Sequence, residues 1–227
     1  MPSLKKNLTK IKTLLKKELT LELRRKSVFS GLALYLFSTV FIYYLTFNLR
    51  QNLISPLVWS ALFWVTILFS SINTIAKSFI GEKRGQDLYF YSLVSPESIV
   101  LSKLIYNFLL CLVLALAGLG LFVLFLSNPI ETTWPFILTI ALTAWGFAAS
   151  LTLLSGIAAK ANNSHIVMTV LSFPIVISIL LLSIKITKNC IDGLEASTNY
   201  DELLTMVAIN CLVTAASYLL FPYIWRT

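Results

Sequence analysis

The chain has 227 residues, 57% of them hydrophobic and only 12% charged, with a mean hydropathy of +0.82. An ordinary soluble domain carries about twice that charge fraction, so the composition excludes a soluble globular protein. The net charge of +8 does not point to nucleic acid, because nine of the 18 lysines and arginines lie before residue 27, beside an apolar run. That placement fits anionic headgroups and membrane topology.

Residues 1–27 are too long, too polar and too charged for the leading region of a cleaved signal peptide. Leu4, Leu8, Ile11, Leu15 and Leu19 share one helical face and lysines surround them, the pattern of an amphipathic helix lying in the headgroup layer. A basic flank that only sets topology gives the same charge pattern. From Val28 onward, continuous apolar stretches recur, each long enough for a hydrocarbon core of roughly 30 Å. A β-barrel is excluded, since its strands alternate over about ten residues.

The expected fold class is therefore all-α: a polytopic membrane protein with six transmembrane helices. The spans are expected near residues 28–47, 55–76, 99–127, 134–159, 165–186 and 203–225, forming one domain over 28–227. Residues 187–202 read as a long loop on the far side. The cluster Phe41, Tyr43, Tyr44 and Phe47 suits an interface with headgroups, and Trp59 lies near the outer end of the second span. Gly118 and Gly120 suit close approach of a neighbouring helix, as does the Ala/Gly/Ser-rich second half of the fourth span. Pro174 is the expected kink of the fifth span, with Ser172 and Ser178 placed to bond freed carbonyls. Such a kink lines a path or simply packs around a neighbour.

The second and third spans are separated by a charged island, residues 77–98. Glu82, Lys83, Arg84 and Asp87 lie close together there, while Phe79, Ile80, Leu88, Phe90 and Leu93 recur through it. The pattern suits a short amphipathic helix on a membrane face, or an ordinary solvated loop. Ser95-Pro96-Glu97 reads as a helix start, with Ser as N-cap, Pro at the first helical position and an acid in the first turn. If both termini and the island share one side, that side carries 15 basic residues and the other carries Arg50, Lys185 and Lys188. The positive-inside rule then places termini and island in the cytoplasm.

Catalytic chemistry is not indicated. His165 stands alone at a span end, where a polar boundary residue is expected rather than a haem or metal ligand. Cys111, Cys190 and Cys211 are unclustered and fit neither a metal site nor a disulfide framework. No phosphate-binding loop or zinc-protease motif occurs, so ATP hydrolysis is not expected of this chain. The spans are poor in charge, which argues against an ion-coupled carrier.

The amphipathic start, six spans and charged island together resemble type-2 ABC exporter permeases. More narrowly, Lys17-Glu-Leu-x-Leu-Glu-x-Arg-Arg-Lys26 is similar to the opening of the CcmB family, the haem exporter protein B of cytochrome c maturation. Glu82-Lys-Arg-Gly-Gln-Asp-Leu88 resembles that family's Glu-Arg-x-x-Gly-x-Leu element, and Ser95, Pro96 and Lys103 its Ser-Pro…Lys pattern. Lys83 departs from the family's usual Arg, and Phe173-Pro174 from its richer proline run in the fifth span.

The resemblance implies that the island is a cytoplasmic coupling helix, with Glu82, Lys83, Arg84, Gly85, Asp87 and Leu88 meeting a separate CcmA-type ATPase. It implies a CcmC-like haem-handling partner, two permease copies in the complex and a bacterial inner-membrane location. ATP is used by the partner subunit, and haem is either transported or released with its chaperone. No cofactor is expected on this chain, whose tryptophans at 59, 64, 134, 145 and 225 are scattered. The alternatives are an ABC permease for a lipid, drug or polysaccharide, and a non-transport membrane scaffold.

Overall fold

The computed structural model describes residues 13–15, 20, 26–50, 54–75, 95–159 and 164–226. The expected N-terminal amphipathic helix falls largely outside these residues, and so does the charged island up to residue 94. The described chain forms six long helices: α1 (Lys26–Arg50), α2 (Pro56–Ile75), α3 (Pro96–Leu126), α4 (Thr133–Ala158), α5 (Ser164–Ile191) and α6 (Tyr200–Arg226). A short 3₁₀ helix, Ala196–Asn199, precedes α6, and no strand occurs among the described residues. All six long helices are apolar enough to cross a membrane. The chain is a multi-pass α-helical membrane protein.

The helices alternate in direction. One end of the bundle, here the near end, holds the finish of α2 and the start of α3; the finish of α1, the start of α2 and the reversals near residues 127–132 and 192–199 lie at the far end. Helix α4 is the axis, packed against α2, α3, α5 and α6. Its span is 78% buried, against 11% for α1. Thr139, Thr143, Gly146, Ala149, Ser150 and Gly156 keep it thin enough to be surrounded, and all six are buried. Gly146 is the tightest point. A Cβ there would collide with the Asn210 carboxamide of α6 and come within 2.8 Å of Ile179 of α5.

At the far end the core is aromatic. Trp59 stacks on Phe63 at 5.5 Å between ring centroids, and Phe122 meets both edge-on at 5.3 Å. Phe136 of α4 closes the cluster at 6.2 Å from Phe63. Offset and edge-on pairs of this kind add about 0.5–1.5 kcal/mol each beyond the area they bury. Trp59, near the far-end start of α2, is thus buried inside the bundle, because Phe63 and the Phe122 ring of α3 pack against it. Helix α1 joins through Phe37, Phe41 and Tyr44, which gather around Phe125.

Two expectations need correction, and the fifth-span proline can be placed. Residues 187–191 are helical rather than loop. Lys188 reaches Asp192 one turn on at 2.6 Å, extending α5. Gly193, at φ +69, then ends it, and the Leu194 N–H bonds back to the Asn189 carbonyl as in a Schellman cap. Gly120 has open space beside it, whereas a Cβ on Gly118 would lie 2.6 Å from Ile67 of α2, so only Gly118 permits close approach. Pro174 lies inside α5 with its side chain exposed. The Ser178 hydroxyl donates to the Pro174 carbonyl at 3.2 Å, not to the Val170 carbonyl that a proline at 174 leaves without its N–H. Pro174 therefore faces outward from the single chain.

Candidate functional site at the near end

The residues expected to meet an ATPase, Glu82, Lys83, Arg84, Gly85, Asp87 and Leu88, lie outside the described residues. What the structure supplies is their frame. The segment leaves α2 at Ile75 and enters α3 at Pro96, so whatever it contacts is joined directly to two core helices. Ser95 occupies the expected N-cap position with extended backbone, Pro96 opens the helix and Glu97 sits in its first turn. The Ser95 hydroxyl pairs with that of Ser98 at 2.9 Å instead of capping a backbone N–H.

Helix α3 has 31 residues, or about 46 Å, well beyond a hydrocarbon core of roughly 30 Å. Its buried face changes character along that length. Toward the far end it is Ala115, Gly118 and Phe122; toward the near end it is Ser102, Lys103, Asn107 and Cys111. Asn107 donates through Nδ2 to the Thr152 hydroxyl of α4 at 2.8 Å. The Cys111 thiol lies 3.5 Å from the Ser71 hydroxyl of α2. Lys103 is only 2% exposed, so an amine, a carboxamide and a thiol form one column with a spacing of four residues. That spacing places them on one helical face.

Farther along the bundle the helices are tied by isolated polar contacts. The Thr143 and Ser183 hydroxyls meet at 2.6 Å, Asn210 Nδ2 donates to the Leu142 carbonyl at 2.8 Å, and Trp145 Nε1 donates to Thr214 at 3.0 Å. Each satisfies a donor that hydrocarbon cannot. An open apolar groove of about 360 Å³ runs between α3, α4 and α6, lined by Leu101, Ile105, Phe108, Leu142, Trp145 and Thr214. At the far end, Lys185 pairs with Glu202 at 2.5 Å, and the N–H groups of Glu131 and Thr132 both reach the Cys190 carbonyl at 3.1 Å.

Among the described residues no catalytic cluster is seen, and no group of three His, Cys, Asp or Glu side chains is placed to hold a metal. The three thiols are free, and the side chain of His165 lies outside the described residues. The charged segment is joined to two long helices, bonded to each other through Cys111 and Ser71, and α3 is bonded to α4 through Asn107 and Thr152. Sequence reasoning singled out the segment, most of which lies outside the described residues, but missed the column behind it. The signal was there in the four-residue spacing of Lys103, Asn107 and Cys111.

A family model described as CcmB protein matches residues 9–222, nearly the whole chain. No curated protein and no solved structure matches.

Proposed function

The chain belongs to the CcmB family, the membrane permeases of the cytochrome c maturation ABC transporter, and from that membership we propose that it couples to a separate ATPase through residues 77–98. Glu82, Lys83, Arg84, Gly85, Asp87 and Leu88 form the contact surface. As a permease subunit the chain is not itself an enzyme; hydrolysis belongs to a CcmA-type partner. ATP-driven closure of two ATPase subunits moves the segments of two permease copies. The movement exports haem or releases a haem-loaded chaperone handed on by a CcmC-like protein.

The near end is the cytoplasmic end in this reading. Its support is the asymmetry of 15 basic residues against three, set against the anionic, positive-inside character of a bacterial inner membrane. Residues 1–27 lie along that surface as an amphipathic helix, and residues 28–227 are one permease domain. The observation that carries the proposal is the family match across residues 9–222, which spans the charged segment and both helices that receive it. Haem is substrate or cargo rather than a resident cofactor of this chain.

The test is co-purification with the candidate ATPase, comparing wild type with Glu82→Ala/Arg84→Ala. Retention by wild type and loss by the variant, with equal membrane insertion, is the expected result. Equal retention by both moves the contact elsewhere. Absence of binding in both leaves a membrane scaffold.

A further inference from the structure

Lysines near a membrane surface ordinarily extend along their aliphatic stems to place the ammonium in water or among headgroups. Lys185 and Lys188 conform, with side chains 61% and 42% exposed. Lys103 does not. It lies in the third turn of α3, close to the near-end surface, yet is 2% exposed and turned into the bundle. An ionisable group held inside a membrane bundle is expensive and is a functional candidate by default.

Its surroundings suggest the task. One turn deeper, Asn107 is 1% exposed and bonded to Thr152 of α4; one turn deeper again, Cys111 meets Ser71 of α2. Helix α4 contacts four other helices, so a displacement delivered to it reaches most of the bundle. The chain enters α3 at Pro96, only two turns before Lys103. A helix receiving a push at its first turn transmits it as a rigid element only if that turn is held to the body behind it. Otherwise the first turns fray or pivot, since their leading N–H groups have no partners within the helix.

We propose that Lys103 is a positioning residue for energy coupling: its buried side chain fixes the start of α3 to the bundle, and the Asn107–Thr152 bond passes movement of the preceding segment to α4. The inference rests on the coupling role of residues 77–98 given above and adds the route into the membrane domain. Lys103 touches neither substrate nor nucleotide. It acts through the helix it holds.

The experiment expresses the full chain with its ATPase and the remaining maturation proteins, and compares wild type, Lys103→Met, Lys103→Arg and Thr152→Val. Methionine keeps the stem length without the charge, arginine keeps the charge, and valine keeps the shape of threonine without its acceptor. Three readouts are taken: ATPase retained by the purified complex, its ATP hydrolysis, and the yield of haem-stained cytochrome c.

Lys103→Met should keep the bound ATPase and continue to hydrolyse ATP while cytochrome c yield falls about fivefold, within the range seen for coupling-network substitutions. Lys103→Arg should recover most of that yield, and Thr152→Val should fall between them. Wild-type yield from Lys103→Met overturns the proposal. So does a loss that merely parallels loss of chain or of bound ATPase, which marks a structural role. Should Lys103→Met fail to insert, wild-type yield from Thr152→Val overturns the route on its own. Failure of the wild-type chain to hold the ATPase removes the reading on which the proposal rests, and is distinct from every variant outcome.

Discussion

At the far end of the bundle, Trp59, Phe63, Phe122 and Phe136 share one aromatic cluster, and the reversals are tied by Lys185–Glu202 and the paired N–H groups on the Cys190 carbonyl. At the near end, the same helix α3 buries Lys103, Asn107 and Cys111 instead. The first set is broad, apolar contact that has no alternative arrangement of equal quality. The second sets a few directed bonds, Asn107 to Thr152 and Cys111 to Ser71, beside a smaller apolar cluster of Val100, Leu104, Ala149, Val213 and Phe221, and such bonds can be exchanged for another acceptor or for water. Small shifts are amplified where packing offers discrete alternatives and resisted where it does not. The contrast suggests a bundle clamped at one end and worked from the other, and substitutions at the two ends should behave differently.

The largest expected effect is Phe122→Ala. Removing the ring that meets Tyr43, Trp59 and Phe63 leaves a cavity in the far-end cluster and should cost about 3–5 kcal/mol, read as a lower unfolding midpoint of the detergent-solubilised chain. A midpoint close to wild type would mean the far end is not clamped.

Gly146→Leu comes next. Its side chain must displace Asn210 and Ile179 from the axis helix, with an overpacking cost of about 1–3 kcal/mol by the same measurement.

Thr152→Val sharpens the comparison from the other side. Loss of the Asn107 acceptor should cost only about 0.6 kcal/mol, the usual size of a polar contact between membrane helices. Its effect should appear in cytochrome c yield rather than in the unfolding midpoint. The smallest effect belongs to Lys188→Ala, an exposed pair with Asp192 worth below about 0.5 kcal/mol. A shift in midpoint larger than that of Gly146→Leu would reverse the ranking and the account with it.

Much of this architecture was legible in the residues. Apolar length located all six helices, because a bilayer demands it, and Ser95-Pro96-Glu97 marked the start of α3 through backbone geometry alone. The small residues of α4 marked it for close packing, although not as the central helix. The end of α5 was misread because Lys188, Asn189 and Asp192 look like loop by polarity. Their spacing of three and four is helical, and Gly193 marked the true stop. The position of Trp59 was beyond sequence reasoning. Whether an aromatic near a span end meets headgroups or other rings depends on which helices lie beside it. Lys103 was read as part of the surface charge for the same reason: burial is a property of the neighbours, not of the residue.

The most direct measurement is amide hydrogen exchange on the complex with its ATPase, with and without a trapped nucleotide. A bundle clamped at one end and driven from the other predicts that exchange changes in residues 95–110 and 148–158, while residues 128–133 and 186–202 stay as they were. Changes confined to the far-end segments, or equal changes at both ends, would contradict the account.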